Sequence, residues 1–233
     1  MFQTLRKGRL TGMGVQLQPI RNIETVFEIA ATLRDMDSPR GRRMYLLWMV
    51  GVNMGMRISD LIDLRVGDLR GRTEYTYLPH KQEHKRGARH ITIPIPPDVQ
   101  AVVEERCQGM PDEAWLFPSR KKKATHGRQL PKPVRPDEKA KRRERANTGA
   151  ISRQTARQDV KEIGRVCGLN MRIGCHTMRK TFGYHYYQAT HDLAQLQEWF
   201  YHEEPSTTLI YIGITLDNFR EMVGKSPFKG MGR

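Results

Sequence analysis

The chain has 233 residues, 38% of them apolar, with 40 Lys and Arg against 25 Asp and Glu and a formal net charge of +15. That length allows one large domain or two small ones, and so large an excess of positive charge points to a polyanionic partner, either nucleic acid or an anionic membrane surface. The longest apolar run, Met44 to Val52, is too short to span a bilayer, no signal-peptide core follows the basic N-terminus, and three widely spaced cysteines make no disulfide framework. A DNA- or RNA-binding protein of the cytoplasm, with no membrane partner, is therefore the expectation.

Residues 1–19 are Gly-rich and basic and read as a flexible arm. From Ile20 to Met36, apolar residues at helical spacing (Ile23, Val26, Phe27, Ala30, Leu33) predict a helix. A second helix starts at Ser38, a fitting N-cap, with Pro39 in the first helical position. It is apolar enough to be central to the core. It ends at Gly55, which suits a left-handed C-terminal position.

Arg57 to Leu69 reads as a short helix and then a turn. The stretches RTEYTYLP and ARHITIPIP alternate in the manner of strands, with the basic turn HKQEHKRG between them. PPDVQAVVEERCQ opens with proline and predicts a helix, and AWLFPS a short strand. Residues 119–150 are rich in proline, Lys and Arg and poor in apolar side chains, the composition of an irregular surface loop suited to lying on phosphates. Beyond it, a helix capped at Ser152 is followed by helices over HTMRKTFGYHYYQAT and HDLAQLQEWFY, and one or two short ones from Pro205 on. The fold class is α+β, mainly α-helical with a small antiparallel β-sheet. There is neither βαβ alternation nor a Gly-rich phosphate loop, which argues against a nucleotide-binding fold. The spacing of Cys167, Cys175 and His176 matches no common zinc pattern.

The residues that carry chemistry are scattered but few. His176 and Arg179 are three apart and share a helix face. Arg57 lies two residues after Gly55, at the entry to a helix, and Lys85 lies in the basic turn. His202 and Tyr211 flank a loop and a short helix. Together they are suited to one phosphodiester. Two arginines grip non-bridging phosphate oxygens through paired hydrogen bonds and stabilise a pentavalent transition state without a metal. A tyrosine hydroxyl, with a pKa of about 10, attacks only if a base takes its proton or cations acidify it. His176 is the candidate base, and a lysine is the candidate acid for the leaving 5′ oxygen.

These residues lie in three boxes that resemble the tyrosine recombinases, the phage-integrase family. NMGMRISDLIDLRVGDL resembles the family's T-G-x-R-I-S-E-L-x-x-L string, HTMRKTFGYHYY its H-x-L-R-H-T-F-A-T-H box, and WFYHEEPSTTLIY its L-G-H-x-x-x-x-T-T-x-x-Y ending. The order and internal spacing match across roughly Ile20 to Val223. The resemblance implies a tyrosine-recombinase catalytic-domain fold over residues 20–233 without the separate N-terminal core-binding domain that most members carry. Arg57 would be the first catalytic arginine and Asp60 an acid that braces it. His176 and Arg179 would be the second pair, His202 a phosphate contact and Tyr211 the nucleophile. Lys85 takes the place of the family's catalytic lysine, with Lys81 as the alternative. Candidate DNA contacts are Lys81, Arg86, Arg89, Lys121, Lys122, Lys123, Arg142, Arg143, Arg153 and Lys180. The departures are Phe200-Tyr201 in place of Leu-Gly and Lys180 in place of His.

The implied activity is site-specific strand exchange on double-stranded DNA through a 3′-phosphotyrosine, with no metal, ATP or other cofactor. A homotetramer would assemble on the DNA, with an accessory DNA-binding protein as a possible further partner. The alternatives are a non-catalytic DNA-binding regulator on the same scaffold and a type IB topoisomerase-like activity.

Overall fold

The computed structural model describes residues 17–119 and 149–214. The expectations for the arm before Leu17, for the basic segment with Lys121, Lys122, Lys123, Arg142 and Arg143, and for the tail beyond Ile214 lie outside these residues. Helix α1 (Ile23–Arg34) leads into α2 (Pro39–Met54), followed by two short helices, α3 (Ile58–Leu61) and α4 (Val66–Leu69). Strands β1 (Glu74–Tyr77) and β2 (Ile91–Pro94) form an antiparallel pair in which Tyr75 faces Ile93 and Tyr77 faces Ile91. Helix α5 (Pro97–Arg106) precedes the basic segment. Helices α6 (Arg153–Val166), α7 (Cys175–Thr190), α8 (Leu193–Phe200) and α9 (Pro205–Tyr211) follow it. Among the described residues no helix is long and apolar enough to cross a membrane.

Helix α2 is the centre of the molecule. Ser38 caps it by accepting from the Gly41 N–H, Pro39 opens it, and Gly55 closes it at φ 59°. Met44, Tyr45, Leu47, Trp48, Val50 and Met54 are buried on it, so it is enclosed on nearly all sides, by α1, α5, α6 and α7. Each such side chain contributes roughly 1.5–3 kcal/mol by leaving water. A charged anchor ties it to α6. The carboxylate of buried Asp159 accepts from Arg40 at 2.9 Å and Arg43 at 2.7 Å, which fixes the orientation of α6 beside the core.

Three expectations change. The buried face of α1 is Val26, Ile29 and Leu33, whereas Ile23 and Phe27 are exposed. Helical spacing named the wide stripe, and packing on α2 uses only one edge of it. The turn expected before Leu69 is a second short helix, α4, which carries its own capping contact from Asp68 to the Arg65 N–H. AWLFPS forms only isolated bridges, Arg65 to Trp115 and Pro118 to Ala150. Leu116 and Phe117 are buried there, so the apolar run reflects core burial rather than strand pairing.

A second, smaller cluster joins α7, α8 and the end of α9 through Leu196, Phe200, Ile212 and Ile214. Gly183 makes that junction possible. A Cβ there would stand 2.7 Å from the Phe200 ring and 2.8 Å from Ile212. Gly55 is equally constrained, since a Cβ on its left-handed backbone would meet the Phe182 ring at 2.3 Å. Gly55→Ala is expected to cost about 2–4 kcal/mol from the left-handed conformation and the collision together, measured as a shift of the urea unfolding midpoint.

Candidate active site

Helix ends build the site. The guanidinium of Arg179, on α7, is 2% exposed. Its Nη1 donates to the Gly55 carbonyl at 2.6 Å and its Nη2 to the Phe200 carbonyl at 2.9 Å. Both acceptors are helix-terminal carbonyls that lack an intrahelical partner, and the negative end of a helix dipole favours a cation. The Phe200 ring lies 4.1 Å from the guanidinium carbon. Arg57 reaches the same Phe200 carbonyl at 3.0 Å through its Nη2. The two arginines thus converge on one oxygen. Burial above all, helped by the charge of Arg57 and opposed by Tyr211, pushes Arg179 down to about 10.

Tyr211 ends α9. Its hydroxyl is 3.0 Å from His176 Nδ1, and its ring meets those of His202 and Phe200 edge-on at 5.3 and 5.4 Å. Burial raises the pKa of the phenol, and the charges of Arg179 and Arg57 pull it back. The phenol is therefore protonated at rest and needs a base. His176 is held below the ordinary histidine value, first by burial and then by Arg179, Lys180, Arg57 and Arg157. It is uncharged at neutral pH, the form able to accept a proton.

His202 is half-buried, with Nδ1 3.0 Å from Thr208 Oγ1. Burial, with Arg179, Arg57 and Lys81, pushes it down to about 4. In the tautomer in which Thr208 donates to Nδ1, Nε2 carries the ring hydrogen and can donate to a phosphate oxygen. Thr208, fully buried, is a site residue that the sequence reading did not select, although the Ser-Thr-Thr run three residues before Tyr211 is its signal.

The strand-connecting turn brings in the lysines. Lys85 Nζ is 3.5 Å from Glu203 Oε1. Lys81 acts electrostatically on His202. Arg86 is exposed near the tip of the turn. Arg89 lies over the Tyr201 ring, 5.4 Å from its centre. Tyr201 caps α8 in the left-handed conformation at φ 53°, where the family resemblance has glycine. A tyrosine there carries a backbone cost of about 1–2 kcal/mol, and contact of its ring with Arg89 offsets part of it.

Two expected roles are corrected. Asp60 does not clasp Arg57. It is buried, its Oδ1 accepts from the His80 N–H at 2.9 Å, and its Oδ2 has no hydrogen-bond partner. The carboxylate on α3 therefore tethers the lysine-bearing turn, while its charge still favours the charged form of Arg179. Lys180, read as a DNA contact, is 4% exposed, with Nζ 5.1 Å from the centre of the Tyr211 ring. Its place at i+4 from His176 turns it towards the site. Arg153 is exposed at the start of α6. With Arg157, Lys161 and Arg172 it lines an open groove that ends at Cys175 and His176. Among the described residues no three His, Cys, Asp or Glu side chains converge as metal ligands.

His202 and His176 give folding a pH dependence with a fixed sign. Both titrate lower in the fold than the unfolded value of about 6.5, so their contribution is present above that value and is lost as pH falls through the folded values. Thermal melting temperature is expected to drop progressively from about pH 6.5 to about pH 4, and His202→Gln should flatten part of that slope.

Residues 21–216 match the model of the phage integrase family. The probable integrase/recombinase YoeC of Bacillus subtilis is 33% identical over 204 residues, covering 88% of this chain and 93% of YoeC. Tyrosine recombinase XerA of Pyrococcus furiosus is 23% identical over 79% of this chain and 54% of its own length. Among solved structures, the XerA recombinase superposes with a TM-score of 0.60 at 15% identity, over 90% of this chain and 66% of that one. The XerH site-specific recombinase bound to a palindromic difH substrate does so with a TM-score of 0.59 at 19% identity, over 94% and 57%. The chain thus spans little more than half of several longer relatives and nearly all of YoeC. With the family match over most of its length and the YoeC relationship, the chain belongs to the phage integrase family of tyrosine recombinases.

Proposed function

We propose that the chain is a site-specific recombinase that cuts and rejoins double-stranded DNA through Tyr211. The observation that carries the reading is the pairing of the Tyr211 hydroxyl with His176 Nδ1 at 3.0 Å, beside two arginines that meet on the Phe200 carbonyl. A phosphodiester entering this site exchanges its oxygens for part of that carbonyl's role. The carbonyls use two N–H groups of Arg179 out of about five, which leaves donors for the non-bridging oxygens.

In the cleavage step the phenol proton passes to His176, the Tyr211 oxygen bonds to phosphorus, and the bond from phosphorus to the 5′ oxygen breaks. Arg57, Arg179 and the Nε2–H of His202 stabilise the extra negative charge of the pentavalent transition state. A lysine of the strand-connecting turn gives the leaving oxygen its proton. The bond energy is retained in the 3′-phosphotyrosine, so a 5′ hydroxyl from the same or another strand reverses the step without ATP. The groove beside α6, with four cations on its walls, suits the flanking phosphates. Exchange between two duplexes calls for four protomers, and the choice of product is open to an accessory DNA-binding protein. The same reading places the protein with DNA in the cytoplasm.

Two lysines compete for the acid. Lys85 holds the family's place, and Lys81 is the one whose charge reaches His202. A DNA with sulfur in place of the scissile 5′ oxygen needs no acid, because a thiolate leaves unaided. Replacing the true acid by Ala should slow cleavage of ordinary DNA by roughly 10²–10⁴-fold and leave the sulfur substrate nearly untouched. The other lysine should show no such difference.

The first test needs no known site. DNA remaining on the protein after denaturing recovery from bacteria is expected for wild type and absent for Tyr211→Phe, while both bind DNA alike. Equal recovery, or none even on nicked DNA that traps the intermediate, would favour a regulator that only binds. Adduct formation with relaxation of supercoils but no strand exchange would favour a topoisomerase-like activity.

A further inference from the structure

Lys180 is a buried cation that the reaction as described does not use. His176, Arg179 and Lys180 stand at i, i+3 and i+4 on α7 and so share one face. Tyr211 lies against that face with its hydroxyl at His176 and its ring 5.1 Å from the Lys180 ammonium. Burial lowers the lysine's pKa, and no carboxylate among the described residues counters the effect. An apolar side chain of the same length would fill this space without desolvating a charge. The ammonium therefore calls for an explanation beyond packing, and the aromatic face and the neighbouring imidazole are what it touches or acts on.

We propose that Lys180 is a positioning residue of the cleavage step, seating the Tyr211 ring and placing a fixed positive charge one helical turn from His176. The inference rests on the reading of Tyr211 as nucleophile. Lys180 and Arg179 face His176 from its own helix, Arg57 from the start of α3 and Arg157 from α6; the Tyr211 phenol faces it from α9. The N-terminus of α7 adds its partial positive charge. All these charges oppose an imidazolium, so His176 meets the phenol as a neutral ring, which accepts through Nδ1 when the hydrogen is on Nε2. Once His176 has taken the phenol proton, the same cations make the imidazolium a strong acid. It returns the proton to the Tyr211 oxygen as the 5′ hydroxyl attacks phosphorus and the tyrosine leaves. Lys180 thus keeps the base uncharged before cleavage and makes its conjugate acid a readier donor for rejoining, at the cost of a weaker base.

The test compares Lys180→Met and Lys180→Arg with wild type in two measurements. One follows the His176 ring proton by NMR through a pH titration of DNA-free protein. The other follows the pH profile of adduct formation on a nicked duplex carrying the sequence recovered from covalent capture. Lys180→Met is expected to raise the His176 midpoint by about half a unit or more and to move the acid limb of the cleavage profile by the same amount. Lys180→Arg should leave both in place. A Lys180→Met protein that cleaves more slowly by one factor at every pH, with an unmoved midpoint, would reduce Lys180 to packing and overturn the proposal, as would a Lys180→Arg protein that behaves like Lys180→Met. Failure of wild type to form an adduct would reject Tyr211 as nucleophile, whereas the NMR titration would still decide whether Lys180 sets the charge of His176.

Discussion

An arginine sealed among helix ends is the constraint on which this molecule is organised. Among the described residues Arg179 has no carboxylate partner within hydrogen-bond reach; its bonds there go to the carbonyls of Gly55 and Phe200. Desolvating a guanidinium is costly, and neutral acceptors compensate only in part. The surroundings are built to hold it anyway. Helix α2 must stop at Gly55 so that its last carbonyls turn towards the site, and Gly183 must lack a side chain so that Phe200 can approach. A charge kept this poorly neutralised is a strong attractor for an anion that fits. The same constraint ties the two apolar clusters together, because the carbonyls that hold Arg179 belong one to each side.

The electrostatics of the other groups follow from that charge. Two histidines in a positive environment are uncharged at neutral pH, the form in which an imidazole can accept at one ring nitrogen and donate at the other. The phenol is pushed up by burial and pulled back by the arginines. A bound phosphate would reverse part of this field, so substrate and proton transfer are coupled through charge without movement of the backbone.

Much of this was legible in the sequence because the relevant signals are local. Ser38, Pro39 and Gly55 marked the ends of α2, and Ser152 the start of α6, through capping chemistry that depends on a few adjacent residues. The spacing of His176 to Arg179 placed that pair on one helix face, and His202 and Tyr211 were read as flanking a loop and a short helix, so the helical layout with one small antiparallel pair was readable too. What escaped depends on neighbours distant in the chain. Asp60 looked like a brace for Arg57 because the two are close in sequence, but the His80 N–H competes for its oxygen. Lys180 looked like a surface cation because lysines usually are. Only the packing of α9 onto α7 shows it beneath Tyr211. The exposed edge of α1 at Phe27 was invisible for the same reason, since helical periodicity does not say how wide the partner surface is.

Tyr201 joins the turn with the lysines to the loop with His202 in a way that carries a thermodynamic linkage. Its left-handed backbone is disfavoured on its own, and the ring's contact with Arg89 is what the conformation gains. A phosphate that drew the Arg89 guanidinium away would remove that gain and leave the disfavour, which would couple occupancy of the turn to the shape of the loop. At room temperature each kcal/mol transferred between them changes the ratio of loop conformers by about fivefold. The strain stored at Tyr201, next to His202, would then depend on whether the Arg89 guanidinium is engaged elsewhere.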